Sequence, residues 1–400
     1  MRRGPSVCNY LNSFFSGVSL KILVVYPFHP SSGAAGRKQD AIESFEAMHR
    51  LAGVASEPLY LEEVVAEAAA RASGRQSSAR LIRSLASRDS ALPRMFAAAL
   101  ATRKRVREGG FDAVMVYGLT ILPILAGVFI AVLNKLPYFI YEHRSYYAEL
   151  SRNGRKPSRF IKFALTHAQA VLCLTPGHRA DIQRYFPAVD PKILLIPPHE
   201  ASGAGSAAGK VTPSQTDGLT IGAWANWREI KRLDVLVEAF CRFARDNAVA
   251  RLKVAGPIPE NAVNSIALAK IDHCASCASI ELLGPLNRSD VTELSRACDI
   301  AAISSDYESY GLPAVEALMV GTPVVTTDCS GPPSFVELGR NGIVVPLDDP
   351  DAMAEAFQTI CEHAQNFNRA EIAEKAKLHF SVEGQAKVLA QIYGLGAADR

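Results

Sequence analysis

The sequence predicts an α/β protein built from two doubly wound domains, and three observations lead there. Short apolar runs alternate with amphipathic stretches along most of the chain, the pattern of parallel sheets covered by helices. One Gly/Ala/Ser-rich stretch, 201–218, interrupts that alternation near the middle of the 400 residues. The charge changes sign at the same place: residues 1–200 carry 26 basic and 15 acidic side chains, residues 201–400 carry 17 and 25. The formal net charge of +3 hides this division. With 48% hydrophobic and 21% charged residues, the composition excludes a disordered or collagen-like chain.

Residues 1–20 begin Met-Arg-Arg-Gly-Pro but lack the long apolar region of a signal peptide, so they are expected to be an extension. The run 21–26 is a first strand and the Pro/Gly/Ser-rich 27–36 a loop. Ile42, Phe45, Met48 and His49 then share one face of a helix. Further strands are expected at 113–117, 138–141, 170–174 and 193–196. The uncharged stretch 113–134 is long enough to span a bilayer. Gly118, Pro123 and Gly127 interrupt it, however, and it parses better as strand followed by helix inside an α/β core. Residues 71–108 hold ten Lys/Arg against two acidic residues, with an apolar stripe through Leu81, Ile82, Leu85, Met95, Phe96 and Leu100. That stretch is either a solvated helical face or a surface for an anionic membrane or acceptor.

Beyond the linker, strands are expected at 219–223, 251–255, 280–283, 300–304 and 324–327. Helices are expected at 233–246, 262–275, 289–297 and 313–320, with a final helical stretch from Asp351. The eight cysteines are too sparse for a disulfide scaffold and mostly sit in apolar runs, which suits a reducing cytoplasm. His273, Cys274 and Cys277 form one Cys-x-x-Cys beside a histidine, too few ligands for a structural zinc site.

The chemistry concentrates in 304–325. A strand ends near Ser304, a loop runs to Gly311, Pro313 suits a first helical turn, and Gly321 with Pro323 ends the helix. A helix start of this kind offers free backbone N–H groups to a phosphate, and Gly311 lets a ligand approach the backbone. Glu308 and Glu316 flank that anion site. A carboxylate beside a phosphate is unfavourable, so these two acids are better suited to accept hydrogen bonds from sugar or ribose hydroxyls. For Glu316 alone, an acid favoured by the helix dipole is the simpler explanation.

Glu308-x7-Glu316, with Gly-Leu-Pro between and Gly-Thr-Pro-Val-Val after, closely resembles the signature of the retaining glycosyltransferases of family 4. The likeness extends over about 219–360 and, more loosely, 21–200. It implies the GT-B fold, two Rossmann-like domains facing each other across a central cleft. The domains would be 21–200 on the acceptor side and 219–383 on the nucleotide-sugar side, with a helix in 384–400 packing back on the first. The reaction implied is transfer of a sugar, with retention, from a UDP- or GDP-type donor to an acceptor hydroxyl in polysaccharide or glycolipid assembly. By this resemblance Glu308 contacts the transferred sugar, Glu316 holds the ribose hydroxyls, and Tyr310, Gly311 and Leu312 contact sugar and phosphate. Lys231 binds the diphosphate and stabilises the leaving group, a role that otherwise falls to a metal, so neither metal nor other cofactor is expected. His143, after a strand, matches a histidine that contacts the donor sugar.

The match departs from the family in several places. The arginine usual after the strand glycine is absent from Gly222-Ala223-Trp224, which leaves Arg228 as the substitute cation. Arg232 replaces the glycine usual after the lysine. The first loop, where Gly33 and Gly36 would let the backbone approach the donor phosphate or the acceptor, lacks the usual double glycine, and His199, expected to border the cleft, stands where many members have a different motif. Two other readings remain open: a GT-B-like accessory protein without turnover, and a sugar-nucleotide epimerase. The expected partners are the donor, a glycan or lipid-linked acceptor and the inner, anionic face of a membrane; nucleic acid is not expected.

Overall fold

The computed structural model describes residues 20–27, 38–70, 91–118, 121–144, 146–152, 154–198, 219–273 and 279–395. The N-terminal extension, the loop holding Gly33 and Gly36, the linker 201–218, residues 71–90 of the basic stretch, the Cys274/Cys277 pair and His199 lie outside them. The described residues form two compact units. One comprises those up to Pro197 together with those from Val382 onward; the other runs from Pro198 to Ser381.

The first unit is a parallel sheet of β1 (Lys21–Tyr26), β2 (Ala55–Tyr60), β3 (Ala113–Gly118), β4 (Tyr138–Glu142), β5 (Ala170–Cys173) and β6 (Lys192–Ile193), in the order β2-β1-β3-β4-β5-β6. β3 and β4 are buried at every position, as strands covered on both faces by helices must be. The uncharged stretch 113–134 is thus divided between β3 and the 14-residue helix Ile121–Asn134. Among the described residues, no helix is long and apolar enough to cross a membrane.

β2 does not follow from local pattern. Ser56, Glu57 and Pro58 are poor strand formers, and Pro58 is tolerated because β2 lies at the sheet edge, paired only with β1. The strand expected at 193–196 is shorter than its apolar content suggests. Leu194 N still donates to Cys173 O at 2.9 Å, but from the Leu194 carbonyl onward the backbone turns to side chains: Tyr141 Oη donates to Leu194 O at 2.5 Å, and Leu195 N donates to Gln385 Oε1 at 3.0 Å. Gln385 belongs to the helix Val382–Ile392, which packs on the helix Lys38–Leu51. The same junction carries a 2.8 Å bond between His49 Nε2 and Tyr393 Oη, and Phe139 lies edge-on to Tyr393.

The second unit is a parallel sheet of β7 (Thr220–Trp224), β8 (Arg251–Ala255), β9 (Ile280–Gly284), β10 (Ile300–Ile303), β11 (Val324–Thr327) and β12 (Gly342–Val345), ordered β12-β11-β10-β7-β8-β9. The helix Leu233–Phe243 buries Leu233, Leu236, Val237 and Phe240 and packs against Pro350–Glu362, where Phe243 meets Phe357 edge-on. Strand order reverses between β7 and β10. In open α/β sheets the crevice at such a switch point, outside the carboxyl ends of the strands, is where ligands bind.

Candidate active site

Both strands at that switch point end in chemistry-bearing loops. After β7 the chain runs through Trp227, buried and tied by its indole N–H to Ala255 O at 2.9 Å, into a short 3₁₀ turn, Glu229–Lys231. Gly256 allows this close approach: its φ is +110°, and a β-carbon there would overlap the carbonyl of Ala225. After β10 come Ser304, Ser305 and Asp306. Ser304 Oγ donates to Lys231 O at 2.8 Å and Asp306 N to Ile230 O at 2.9 Å, so the two loops are stitched together.

Within this seam Lys231 Nζ is ion-paired with Glu308 Oε1, and both side chains are mostly buried. Ser305 Oγ donates to the same carboxylate oxygen at 3.0 Å. Glu308 is also held through its backbone, donating to Cys329 O at 2.7 Å and accepting from Gly331 N at 2.8 Å. Its position therefore does not depend on its side chain.

Gly311, at φ +82°, caps the helix Leu312–Met319, with Pro313 in the first turn. A β-carbon on Gly311 would strike the ring of Pro332, so the glycine answers both the backbone angle and the packing. Ala314 N turns back to Gly311 O at 2.9 Å, which leaves the open end of the helix at Leu312, suited to an anion. Tyr310 is buried and meets Phe335 edge-on. Glu316 accepts from Trp224 Nε1 at 2.7 Å.

The structure thus brings Lys231, Glu308, Glu316, Tyr310, Gly311 and Leu312 to one end of one sheet. Arg228 stands exposed at the start of the 3₁₀ turn and forms no ion pair among the described residues. Arg232 occupies the left-handed conformation, φ +50° and ψ +56°, which explains physically why glycine suits this position. Its guanidinium offsets that strain by pairing with Asp234 at 3.0 Å, Asp306 at 3.2 Å and Asp348 at 2.5 Å. Among the described residues, no group of three or more His, Cys, Asp or Glu could hold a metal ion.

His143 belongs to the other unit. It follows β4, donates its backbone N–H to Gly118 O at 3.3 Å, and lies against the rings of Tyr117 and Tyr141 at 4.3 and 4.0 Å. Burial, reinforced by His178, holds its imidazole well below the usual histidine range, so it is neutral near pH 7. The neighbouring Glu142 is fully buried. Burial alone would raise its carboxyl, but Arg144, bonded at 2.7 and 2.6 Å, holds it below the ordinary value. Tyr147 Oη donates to the same carboxylate at 3.0 Å.

Trp224, Ser304, Ser305 and Asp306 were not singled out by sequence reasoning. A tryptophan at a strand's carboxyl end was the available signal, because a buried indole N–H needs an acceptor.

Two family models match the chain. One, described as Glycosyltransferase Family 4, covers residues 62–199, and the other, Glycosyl transferases group 1, covers 216–363. Together they span more than two thirds of the sequence. The chain belongs to the family 4, group 1 glycosyltransferases. A D-inositol 3-phosphate glycosyltransferase of Corynebacterium urealyticum is 27% identical over 233 residues, 57% of this chain and 52% of that protein. Its counterpart in Corynebacterium kroppenstedtii is 38% identical over 117 residues, 28% of this chain and 26% of that one. The chain therefore spans about half or less of these curated relatives.

Among solved structures, Anabaena HepE in complex with UDP and glucose superposes with a TM-score of 0.64 at 18% identity, covering 93% of this chain and 98% of that one. Sucrose-phosphate synthase from Thermosynechococcus elongatus gives 0.69 at 16% identity, covering 94% and 98%. At such identities the likeness establishes the fold. The two parallel-sheet units of this family 4 glycosyltransferase are those of GT-B.

Proposed function

We propose that the chain transfers a sugar, with retention, from a nucleoside diphosphate sugar to an acceptor hydroxyl. The observation that carries this reading is the Lys231–Glu308 pair beside the Gly311–Leu312 helix start at the switch point. The helix start and the lysine suit a diphosphate; the two carboxylates suit hydroxyls. A leaving diphosphate develops negative charge, and a preorganised ammonium stabilises it where water is largely excluded. On the same face the departing phosphate takes the acceptor proton, so Glu308 serves by position and charge rather than covalent attack. HepE carries UDP and glucose, which favours a UDP-type donor here.

The acceptor is a glycan or lipid-linked saccharide in polysaccharide or glycolipid assembly, and the enzyme works in the cytoplasm on the inner face of a membrane. The described part of the basic stretch supports that placement. The helix Ala91–Glu108 exposes Arg103, Lys104, Arg105 and Arg107, with Arg105 paired to Glu57. Flotation with vesicles rich in anionic lipid tests it: binding that ignores lipid charge and salt would contradict it.

A thermal-shift screen of nucleotide sugars tests the main reading. One UDP- or GDP-sugar should raise the melting temperature, because a ligand at about 100 times its Kd adds about 2.7 kcal/mol. Release of the nucleoside diphosphate should then depend on an acceptor. Tight binding without turnover on any acceptor would point to an accessory protein, an epimerised free sugar to an epimerase, and no binding at all would reject the reading.

A further inference from the structure

We infer that Trp224 is a positioning residue that orients the Glu316 carboxylate for a vicinal diol, making the site selective for ribose over 2′-deoxyribose. The inference rests on the nucleotide-sugar reading above. A glutamate in the second turn of a helix has three rotatable side-chain bonds, and ordering them on ligand binding costs free energy. Trp224 removes much of that cost in advance. Its Nε1–H is a donor with no acceptor capacity, and it meets Glu316 Oε2 at 2.7 Å.

The indole is itself held rigidly. Trp224 is 2% exposed, and its backbone is paired with Ala255 in the β7–β8 ladder. A β-carbon at Gly222, two residues earlier on the same strand face, would press on Cys298 and come within 3.4 Å of the Trp224 ring. The missing side chain at Gly222 makes room for Cys298, and the Trp224 ring packs beside it at ordinary contact distance. A carboxylate offers about four lone-pair sites, so the indole N–H, one of the contacts of Glu316, helps to fix its plane without exhausting it. Two adjacent hydroxyls can bridge both carboxylate oxygens only when that plane faces them, whereas a single hydroxyl is far less sensitive to the orientation. This pairing of a strand-end tryptophan with the helix carboxylate lies outside the sequence motif, since the two residues are 92 positions apart.

The test is titration calorimetry of UDP and GDP, each beside its 2′-deoxy form, on the full chain and on Trp224→Phe. Phenylalanine keeps an aromatic ring on the strand and removes only the donor. The ribonucleotide bound by the wild type should weaken about tenfold in Trp224→Phe, and its 2′-deoxy form less than threefold. Glu316→Ala should abolish the ribose preference, and adding Trp224→Phe to it should change nothing further. Equal weakening of both sugars, as a general loss of packing would produce, or no weakening of the ribonucleotide, would overturn the assignment. Persistence of the ribose preference in Glu316→Ala would overturn it also, and it needs no folded variant of Trp224. A wild type that binds no nucleoside diphosphate would overturn the nucleotide-sugar reading, and this inference with it.

Discussion

Glu308→Gln is expected to lower the rate of sugar transfer by roughly 10²–10³-fold, the cost typical of deleting one preorganised electrostatic contact. The substitution is nearly isosteric and leaves both backbone bonds of Glu308, to Cys329 and Gly331, in place. Loss of activity should therefore come with a melting temperature changed by only a few degrees. Lys231→Ala should cost a similar factor, through the leaving diphosphate rather than the sugar. The two side chains are ion-paired and share the Ser304–Ser305 seam, so they act as a unit. Their double variant should be much less impaired than the product of the two single losses. Single-turnover kinetics with the donor identified by thermal shift measures all three. Activity of Glu308→Gln within about threefold of wild type would remove Glu308 from the proposed machinery.

What could be seen in the sequence was whatever is encoded locally. β1 and β10 announce themselves because strands buried on both faces are apolar runs bounded by turn residues, as in Lys21–Tyr26 after its first residue and in Ile300–Ile303. The helix Leu312–Met319 is bracketed by Gly311 and Pro313 at one end and Gly321 at the other, each dictated by a backbone requirement. β2 stayed hidden because an edge strand needs only one ladder, which the Ser-Glu-Pro of its middle can still supply. At the candidate site, motif and spacing pick out Glu308 and Glu316. They do not show that Lys231, 77 positions earlier, reaches Glu308, nor that Trp224 reaches Glu316. Arg232 illustrates the limit best. By residue type it looks like a lost glycine, yet three carboxylates, from Asp234, Asp306 and Asp348, converge on it in space. Asp234 sits two residues on, in the first turn of the next helix, but Asp306 and Asp348 come from distant loops that only the fold brings to it.

Mild acid should unfold the first unit well before the second. Burial pushes His49 and His178 down to about 4, and it holds His143 well below its ordinary range. In the unfolded chain each titrates near 6.5. Between those values the unfolded state binds more protons than the native one, so stability rises with pH and is lost as pH falls below about 6.5. At pH 5 the loss is about 2 kcal/mol for each of His49 and His178, with a further loss from His143, enough to lower the melting temperature of a unit this size by roughly 10 °C or more. Glu142 does not confuse this window. Its carboxyl is held below the ordinary value, so its contribution is lost only at lower pH, as the folded-state carboxyl takes up its proton. In His49 the neutral form is built into the contacts, with Nδ1–H donating to Phe45 O at 2.9 Å and Nε2 accepting from Tyr393 Oη. In the second unit His363 and His379 lie at the surface, and partial burial lowers His379 from its ordinary value. The sequence supplies separate probes for the two units. Both tryptophans, Trp224 and Trp227, belong to the second, and ten of the twelve tyrosines lie before Pro197 or after Val382. Melting followed by tyrosine near-ultraviolet circular dichroism should therefore move sharply between pH 7 and 5, while melting followed by tryptophan fluorescence moves little. If the two transitions shift together, or neither shifts, burial of these histidines in the neutral form is not what limits the first unit.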